Sequence, residues 1–224
     1  MNSCLISFEG QDASGKSTLM RSVYNTLSRK GCRTIVVDEF SNSVIGKYIK
    51  KLLGENKFIR FEEDTPTAFT ETMYLTADLY YQDEEEIRPA LKEGTIVLKE
   101  RHIDTLYSCQ IPKIMNDYPE LEFENIYNWI KDIICNLYVP DKTFLLTVPK
   151  DIQIERILNR GEEVSDEDLS VFKRRDSIYE KLYNENKDRI TIFDNNKPLD
   201  QAAQEISDII IDICQDQGAI CGRN

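Results

Sequence analysis

The chain has 224 residues, enough for one domain with a sizeable core, and 30% charged beside 41% apolar residues gives no sign of a disordered polymer. A formal net charge of −12 disfavours a nucleic-acid polymer as partner, because phosphate-backbone binding needs clustered Lys and Arg. No apolar run reaches the ~18 residues of a membrane span, and the first strand starts too early to leave room for a signal peptide. The six cysteines (4, 32, 109, 135, 214 and 221) form no Cys-x-x-Cys pair, and the lone His102 cannot build a histidine metal site. That pattern fits reduced thiols in a cytoplasmic protein.

In chain order, β-branched runs alternate with helical periodicity. The first run, Cys4–Phe8, leads into Gly10-Gln-Asp-Ala-Ser-Gly-Lys-Ser17, a complete Gly-x-x-x-x-Gly-Lys-Ser phosphate-binding loop. A strand, a glycine turn and a helix N-terminus in that order direct backbone N–H groups at phosphate oxygens. Lys16 then reaches the terminal phosphates and the Ser17 hydroxyl joins a Mg²⁺ shell. The following helix runs to Arg29, with Leu19, Val23 and Leu27 on one face and Gly31 as its stop.

A second strand, Thr34–Val37, ends at Asp38-Glu39, and a helix follows over Val44–Leu53. After Pro66 a long helical region continues to Lys92, closed by Gly94; its run Asp83-Glu84-Glu85-Glu86 reads as a solvated face. The third strand, Thr95–Leu98, delivers Glu100-Arg101 to the sheet edge. There a carboxylate can orient water on Mg²⁺ and an arginine can grip a second phosphate bidentately; a plain Arg101–Glu100 ion pair is the structural alternative. Helices over 104–115 and 124–137 precede a fourth strand, Thr143–Val148, and helices over 150–160 and 167–187 precede the fifth, Ile190–Phe193. The last helix carries Leu199, Ala203, Ile206, Ile210 and Ile213 at helical spacing.

Arg156 and Arg160, four apart and followed by Gly161, share a helix face. The polar stretch after them has no apolar anchor, so residues 160–168 have the composition of a mobile lid that delivers guanidinium groups. The whole pattern predicts a single α/β domain over 1–224: a three-layer sandwich with about five parallel strands and the chemistry at their carboxyl ends.

Taken together, these residues resemble the thymidylate kinase family of P-loop nucleoside monophosphate kinases, collinearly over nearly the whole chain. The opening Phe8-Glu-Gly-x-Asp-x-x-Gly-Lys-Ser-Thr18, Ala77-Asp78, Ile87-to-Val97 and Glu100-Arg101-His102 with Gln110 carry the likeness. So do Pro140-to-Pro149, the lid arginines with Tyr179, and Asp194-to-Leu199. The resemblance implies ATP- and Mg²⁺-dependent phosphorylation of a nucleoside monophosphate, by default dTMP, in a protein that can be a homodimer. It implies ATP contacts from Gly10, Ser14, Gly15, Lys16, Ser17, Thr18 and Arg156, and Mg²⁺ at Ser17 and Glu100. It implies acceptor contacts from Asp12 (to the sugar), Glu39, Tyr74, Arg101 and Gln110, with Lys16, Glu100, Arg101 and Arg160 acting on the transferred group. Ala13 replaces the catalytic loop arginine of some members, which leaves that work to the lid.

Departures fall on the acceptor side. Leu79 stands where the family places a base-reading Arg, Leu75 where it places a stacking aromatic, and Cys109 where it places a tyrosine; Asp38 and Phe40 replace an Arg and a Pro. Two further readings stay open: a deoxynucleoside kinase with Asp38 or Glu39 as base for a 5′-hydroxyl, and a non-catalytic nucleotide-binding protein.

Overall fold

The computed structural model describes residues 3–54 and 66–221 of the chain. Its strands are β1 (Leu5–Gly10), β2 (Thr34–Val37), β3 (Ile96–Glu100), β4 (Lys142–Thr147) and β5 (Ile190–Asp194). All pair in parallel, in the order β2-β3-β1-β4-β5. The helices are α1 (Lys16–Arg29), α2 (Val44–Gly54), α3 (Ala68–Gln82), α4 (Arg88–Lys92), α5 (Ile103–Asp117), α6 (Phe123–Ile133), α7 (Lys150–Leu158), α8 (Asp166–Glu185) and α9 (Leu199–Cys221). The predicted α/β sandwich is the observed one.

Alternation along β1 sorts its side chains between two layers. Ile6 and Phe8 point to one face, where Leu19, Val23, Ile206 and Ile210 from α1 and α9 cover them. Each such side chain, fully buried, contributes about 1.5–3 kcal/mol. On the other face α3, α5, α6 and α8 pack around Ile111, Ile130, Leu145 and Leu182. Ser7 and Glu9 of β1 are wholly buried too, with Ser7 Oγ 2.6 Å from Thr143 Oγ1 and Glu9 bonded to α5 and α8. Leu199, expected on the buried face of the last helix, is 42% exposed because it occupies that helix's first turn.

The long helical region continues to Lys92 as expected, but α3 and α4 are joined by a π-helical turn, Asp83–Ile87. One member of the acidic run is therefore not solvated: Asp83 is buried, accepting Arg88 Nε at 2.6 Å and the Tyr138 N–H at 3.3 Å. Only a charged and hydrogen-bonded partner makes such burial tolerable, and Arg88 supplies it.

Strand order places the site. The chain leaves β1 toward β2 on one side, and leaves β3 toward β4 on the other, although β1 and β3 are neighbours. That is a topological switch point, where the carboxyl ends of two adjacent strands open a crevice for ligands.

Candidate active site

At the end of β1 the loop bends through three left-handed residues: Gly10 (φ 133°), Ala13 (φ 60°) and Gly15 (φ 90°). A Cβ on Gly10 would lie 2.4 Å from the Leu146 carbonyl oxygen, and one on Gly15 would lie 2.6 Å from Asn195 Nδ2. Backbone angle favours glycine at both positions, and at Gly10 the Leu146 carbonyl leaves no space for a side chain either. Asn195 donates to the Ser14 carbonyl at 2.7 Å and so holds the loop from the end of β5. The buried Ser14 hydroxyl has no hydrogen-bond partner among the described residues, as suits a group that meets a phosphate oxygen.

Lys16 is buried, with Nζ donating to the carbonyls of Gly10 (3.2 Å) and Gln11 (2.8 Å). Burial, with Arg101 adding, pushes its pKa down to about 7, against the opposing pull of Asp12 and Glu39. A cavity of about 200 Å³ is lined by Lys16 with Asp12, Ala13, Gly15, Ser17 and Thr18 of the loop region and by Glu39, Glu100, Arg101 and Arg160.

Pairing of Phe8 with Glu100 sets the two strand ends side by side. Ser17 Oγ donates to Glu100 Oε1 at 2.5 Å, joining the two oxygen donors that the sequence assigned to a metal. Arg101, in a left-handed conformation (φ 53°), turns away from Glu100. Its Nη2 donates to Asp12 Oδ1 (2.5 Å), its Nε faces Glu39 Oε1 (3.4 Å), and its Nη1 donates to the Gly10 carbonyl (3.1 Å). The plain Arg101–Glu100 pair is not what forms. Burial alone would lower the Arg101 pKa, but Glu39 and Asp12 hold it well above the ordinary value.

Beneath this layer Lys99 is fully buried and donates to the carbonyls of Asp38 (2.7 Å), Glu39 (3.1 Å) and Glu100 (2.8 Å). All three of its donors are used. One ammonium thereby locks the end of β2 to the end of β3 and fixes where Glu39 and Glu100 stand.

On the other flank, α7 ends at Leu158, so Arg160 lies in the turn beyond it and lines the cavity. Arg156, inside α7, donates from Nη1 to the Ala13 carbonyl at 3.3 Å. Gly161 has φ 78°, the left-handed conformation that commonly closes a helix. The segment after it has an apolar anchor that the sequence reading missed: Val164 packs against Ala13, Ile157 and Phe172. A lone valine in a polar stretch carries no periodic signal, and its partners come from three elements.

Three further residues shape the site without having been singled out in the sequence. Lys99 is one. Glu9 is another: its carboxylate accepts the His102 N–H at 2.7 Å and the Tyr179 hydroxyl at 3.2 Å, and pairs with Thr105. The third is Arg175 on α8, whose Nη1 donates to Asp12 Oδ2 at 3.1 Å. Burial would push Asp12 up, but Arg101, Arg175 and Lys16 hold it well below the usual carboxylate range. The one sequence signal for Arg175 is its position a helical turn before Tyr179, which is buried on the same face of α8.

Comparison with known proteins now adds to this geometry. The family model described as thymidylate kinase matches residues 8–206, most of the chain and the whole of the site. The chain belongs to the thymidylate kinase family. It is thereby a P-loop kinase of the nucleoside monophosphate class. A probable thymidylate kinase of Methanosarcina barkeri is 28% identical over 92% of this chain and 95% of its own length. A thymidylate kinase of Sulfurihydrogenibium sp. is 26% identical over 96% and 98%. In structure, thymidylate kinase from Ehrlichia chaffeensis superimposes with a TM-score of 0.66 at 18% identity, covering 94% of this chain and 99% of that one, which shows the shared fold.

Of the departures from the thymidylate kinase pattern, Leu75 and Leu79 lie on α3 and Cys109 on α5, while Asp38 and Phe40 follow β2. Leu79 is 8% exposed and, with Leu75, packs into the core between α3, α5 and α6, where neither offers a hydrogen bond to a ligand. Gln110 is buried, donating to Glu71 Oε1 at 3.0 Å and accepting from Thr72 Oγ1 at 3.1 Å, which ties α5 to α3. Tyr74 stands on α3 with 40% of its surface exposed. Neither Tyr74 nor Gln110 lines the cavity beside Lys16.

Proposed function

We propose that this protein transfers the γ-phosphoryl group of ATP to a nucleoside monophosphate, with dTMP as first acceptor and Mg²⁺ as cofactor. One observation carries the reading. A single cavity is lined by Lys16, by the hydrogen-bonded pairs Ser17–Glu100 and Arg101–Asp12, and by Arg160. The first pair suits the donor, the second the acceptor.

In this reading the loop amides from Gly10 to Thr18, with the Ser14 hydroxyl and Arg156, hold the ATP phosphates. Ser17 and Glu100 hold Mg²⁺; both are oxygen donors, and Mg²⁺ takes few protein ligands, leaving the rest to phosphates and water. When bound, the ion neutralises phosphate charge. Arg101 holds the acceptor phosphate and Asp12 and Glu39 flank it; of the two residues expected at the base, the part-exposed Tyr74 keeps that role, while Gln110 is taken up between α3 and α5. The acceptor oxygen is already anionic, so the chain has no strong base to supply and works by positioning and charge neutralisation. Residues 160–168 act as the lid of one kinase domain, with Arg160 reaching the transferring group. Cytoplasmic placement and a homodimer belong to the same reading; no helix among the described residues is long and apolar enough to cross a membrane.

One observation favours a second reading. Glu39 presents a half-exposed carboxylate to the cavity, where it would serve as base for a 5′-hydroxyl. A coupled ADP-release assay with ATP, Mg²⁺ and dTMP, dUMP, dCMP or thymidine separates the two. Turnover of dTMP is expected, with discrimination against dCMP within about tenfold, since Leu75 and Leu79 give the base no hydrogen bond. Turnover of thymidine but not dTMP would move the protein to the nucleoside kinases. ATP binding without turnover of any acceptor would leave a nucleotide-binding protein.

A further inference from the structure

Arg101 and Arg175 share Asp12 but differ in what remains to them. Every nitrogen of Arg101 is engaged: Nε with Glu39, Nη1 with the Gly10 carbonyl and Thr105, Nη2 with Asp12. Arg175 uses Nη1 alone. Its Nε and Nη2 are buried and have no hydrogen-bond partner among the described residues, although the residue is only 6% exposed. These two nitrogens form one edge of the guanidinium, with parallel N–H bonds. That edge suits two adjacent oxygen atoms.

We propose that the Nε–Nη2 edge of Arg175 is a recognition element for the acceptor nucleotide, taking two adjacent oxygens of it. The inference rests on the nucleoside monophosphate kinase reading and goes beyond it by naming an acceptor residue contributed by α8. Buried donors left unmade destabilise the free protein, and such orphans persist where a ligand completes them. A counter-ion for Asp12 needs a single prong, which a lysine would supply equally well. The four charges closest together, Arg101 and Arg175 against Asp12 and Glu39, already cancel. What the edge lacks is therefore acceptor atoms rather than countercharge. Asp12 lines the cavity and is 53% exposed, and the buried guanidinium bonded to it stands one residue behind the space a ligand enters. Cys109 and Tyr179 act on the same guanidinium electrostatically from α5 and α8, and neither bonds to the open edge. On a nucleoside monophosphate, adjacent oxygens occur on the phosphoryl group and on the 2′,3′-hydroxyls of a ribose.

The test compares the full-length protein with its R175K and R175M variants, using ATP with dUMP or UMP, which differ only at the 2′-hydroxyl. Steady-state kinetics are paired with calorimetric titration of each monophosphate in the absence of ATP. R175K keeps the charge and the prong to Asp12 but lacks the fork, so it is expected to melt like the parent. It should leave the ATP KM within about twofold and raise acceptor KM and Kd roughly tenfold, with kcat changing less. R175M should lose more acceptor affinity than R175K. A loss confined to UMP assigns the edge to the sugar hydroxyls, and an equal loss for dUMP and UMP assigns it to the phosphoryl oxygens; either supports the proposal. Unchanged acceptor affinity in R175K, or a parallel rise in ATP KM, overturns it. Tight monophosphate binding without turnover in the parent protein would remove the kinase reading while leaving the role of Arg175 to be decided by the titrations.

Discussion

Glu9 Oε1 accepts the backbone N–H of His102 at 2.7 Å, so a carboxylate on the central strand fixes the peptide that follows Arg101. The same group receives the Tyr179 hydroxyl and pairs with Thr105, so β1, α5 and α8 converge on it. It holds Arg101 in its left-handed turn and gives the start of α5 a polar cap.

Glu9 makes stability depend on pH. Burial, with Asp104 adding, raises its pKa from 4.5 to about 7, against the pull of Thr105 and Arg101. Between those values the folded protein keeps a proton that the unfolded chain releases. Stability from this group is therefore complete below about pH 4.5 and is lost as pH rises through about 7. Melting curves from pH 5 to 8 should show the parent losing ground against E9Q as pH rises. A widening advantage of the parent toward pH 8 would refute the assignment.

Removing the loop lysine should leave the fold and remove the chemistry. Among the described residues Lys16 donates only to loop carbonyls, and burial disfavours its charge, so K16A should melt close to the parent. Turnover should fall roughly 10²–10³-fold or more, the scale for losing a group that stabilises transition-state charge. Near-normal ADP release in K16A would withdraw the proposed mechanism.

The two arginines near the lid should separate kinetically. Arg160 lines the cavity, whereas Arg156 is engaged with the Ala13 carbonyl. R160A is expected to lower kcat by about 10²-fold with little change in ATP KM, because a cation met on closure acts on the transition state. R156A should chiefly raise ATP KM. The reverse pattern would put the bridging cation one helical turn earlier.

Chelation and substitution should agree on the metal. EDTA should abolish turnover, and S17A or E100Q should raise the Mg²⁺ concentration for half-maximal rate by about tenfold. The motivation is the 2.5 Å Ser17–Glu100 contact, in which each side chain holds the other in place. An unchanged Mg²⁺ requirement in both variants would move the ion elsewhere.

What could be read from the sequence follows the range of the interactions. The phosphate loop, the five strands and the strand-end Glu100-Arg101 were legible because motif and periodicity are local. Their pairing was not: Arg101 meets Asp12 and Glu39 through the sheet order, which no single segment encodes. Arg175 escaped notice because its contact with Asp12 spans most of the chain, and Lys99 because a buried lysine in a strand looks like an ordinary polar residue. Asp83 read as solvated because its neighbours in sequence are, although a π-turn rotates it toward Arg88. Gln110 and Tyr74 came from resemblance alone, and the structure gives Gln110 work between two helices.

The bond from Asn195 to the Ser14 carbonyl links the first functional segment to one near the far end of the chain. Asn195 is itself held against Thr147, just past the edge strand β5. During synthesis, then, the phosphate loop emerges first yet receives its last constraint only after the fifth strand has docked. Competence to hold nucleotide becomes a late event, and a chain cut short before β5 carries the whole motif without the brace that shapes it.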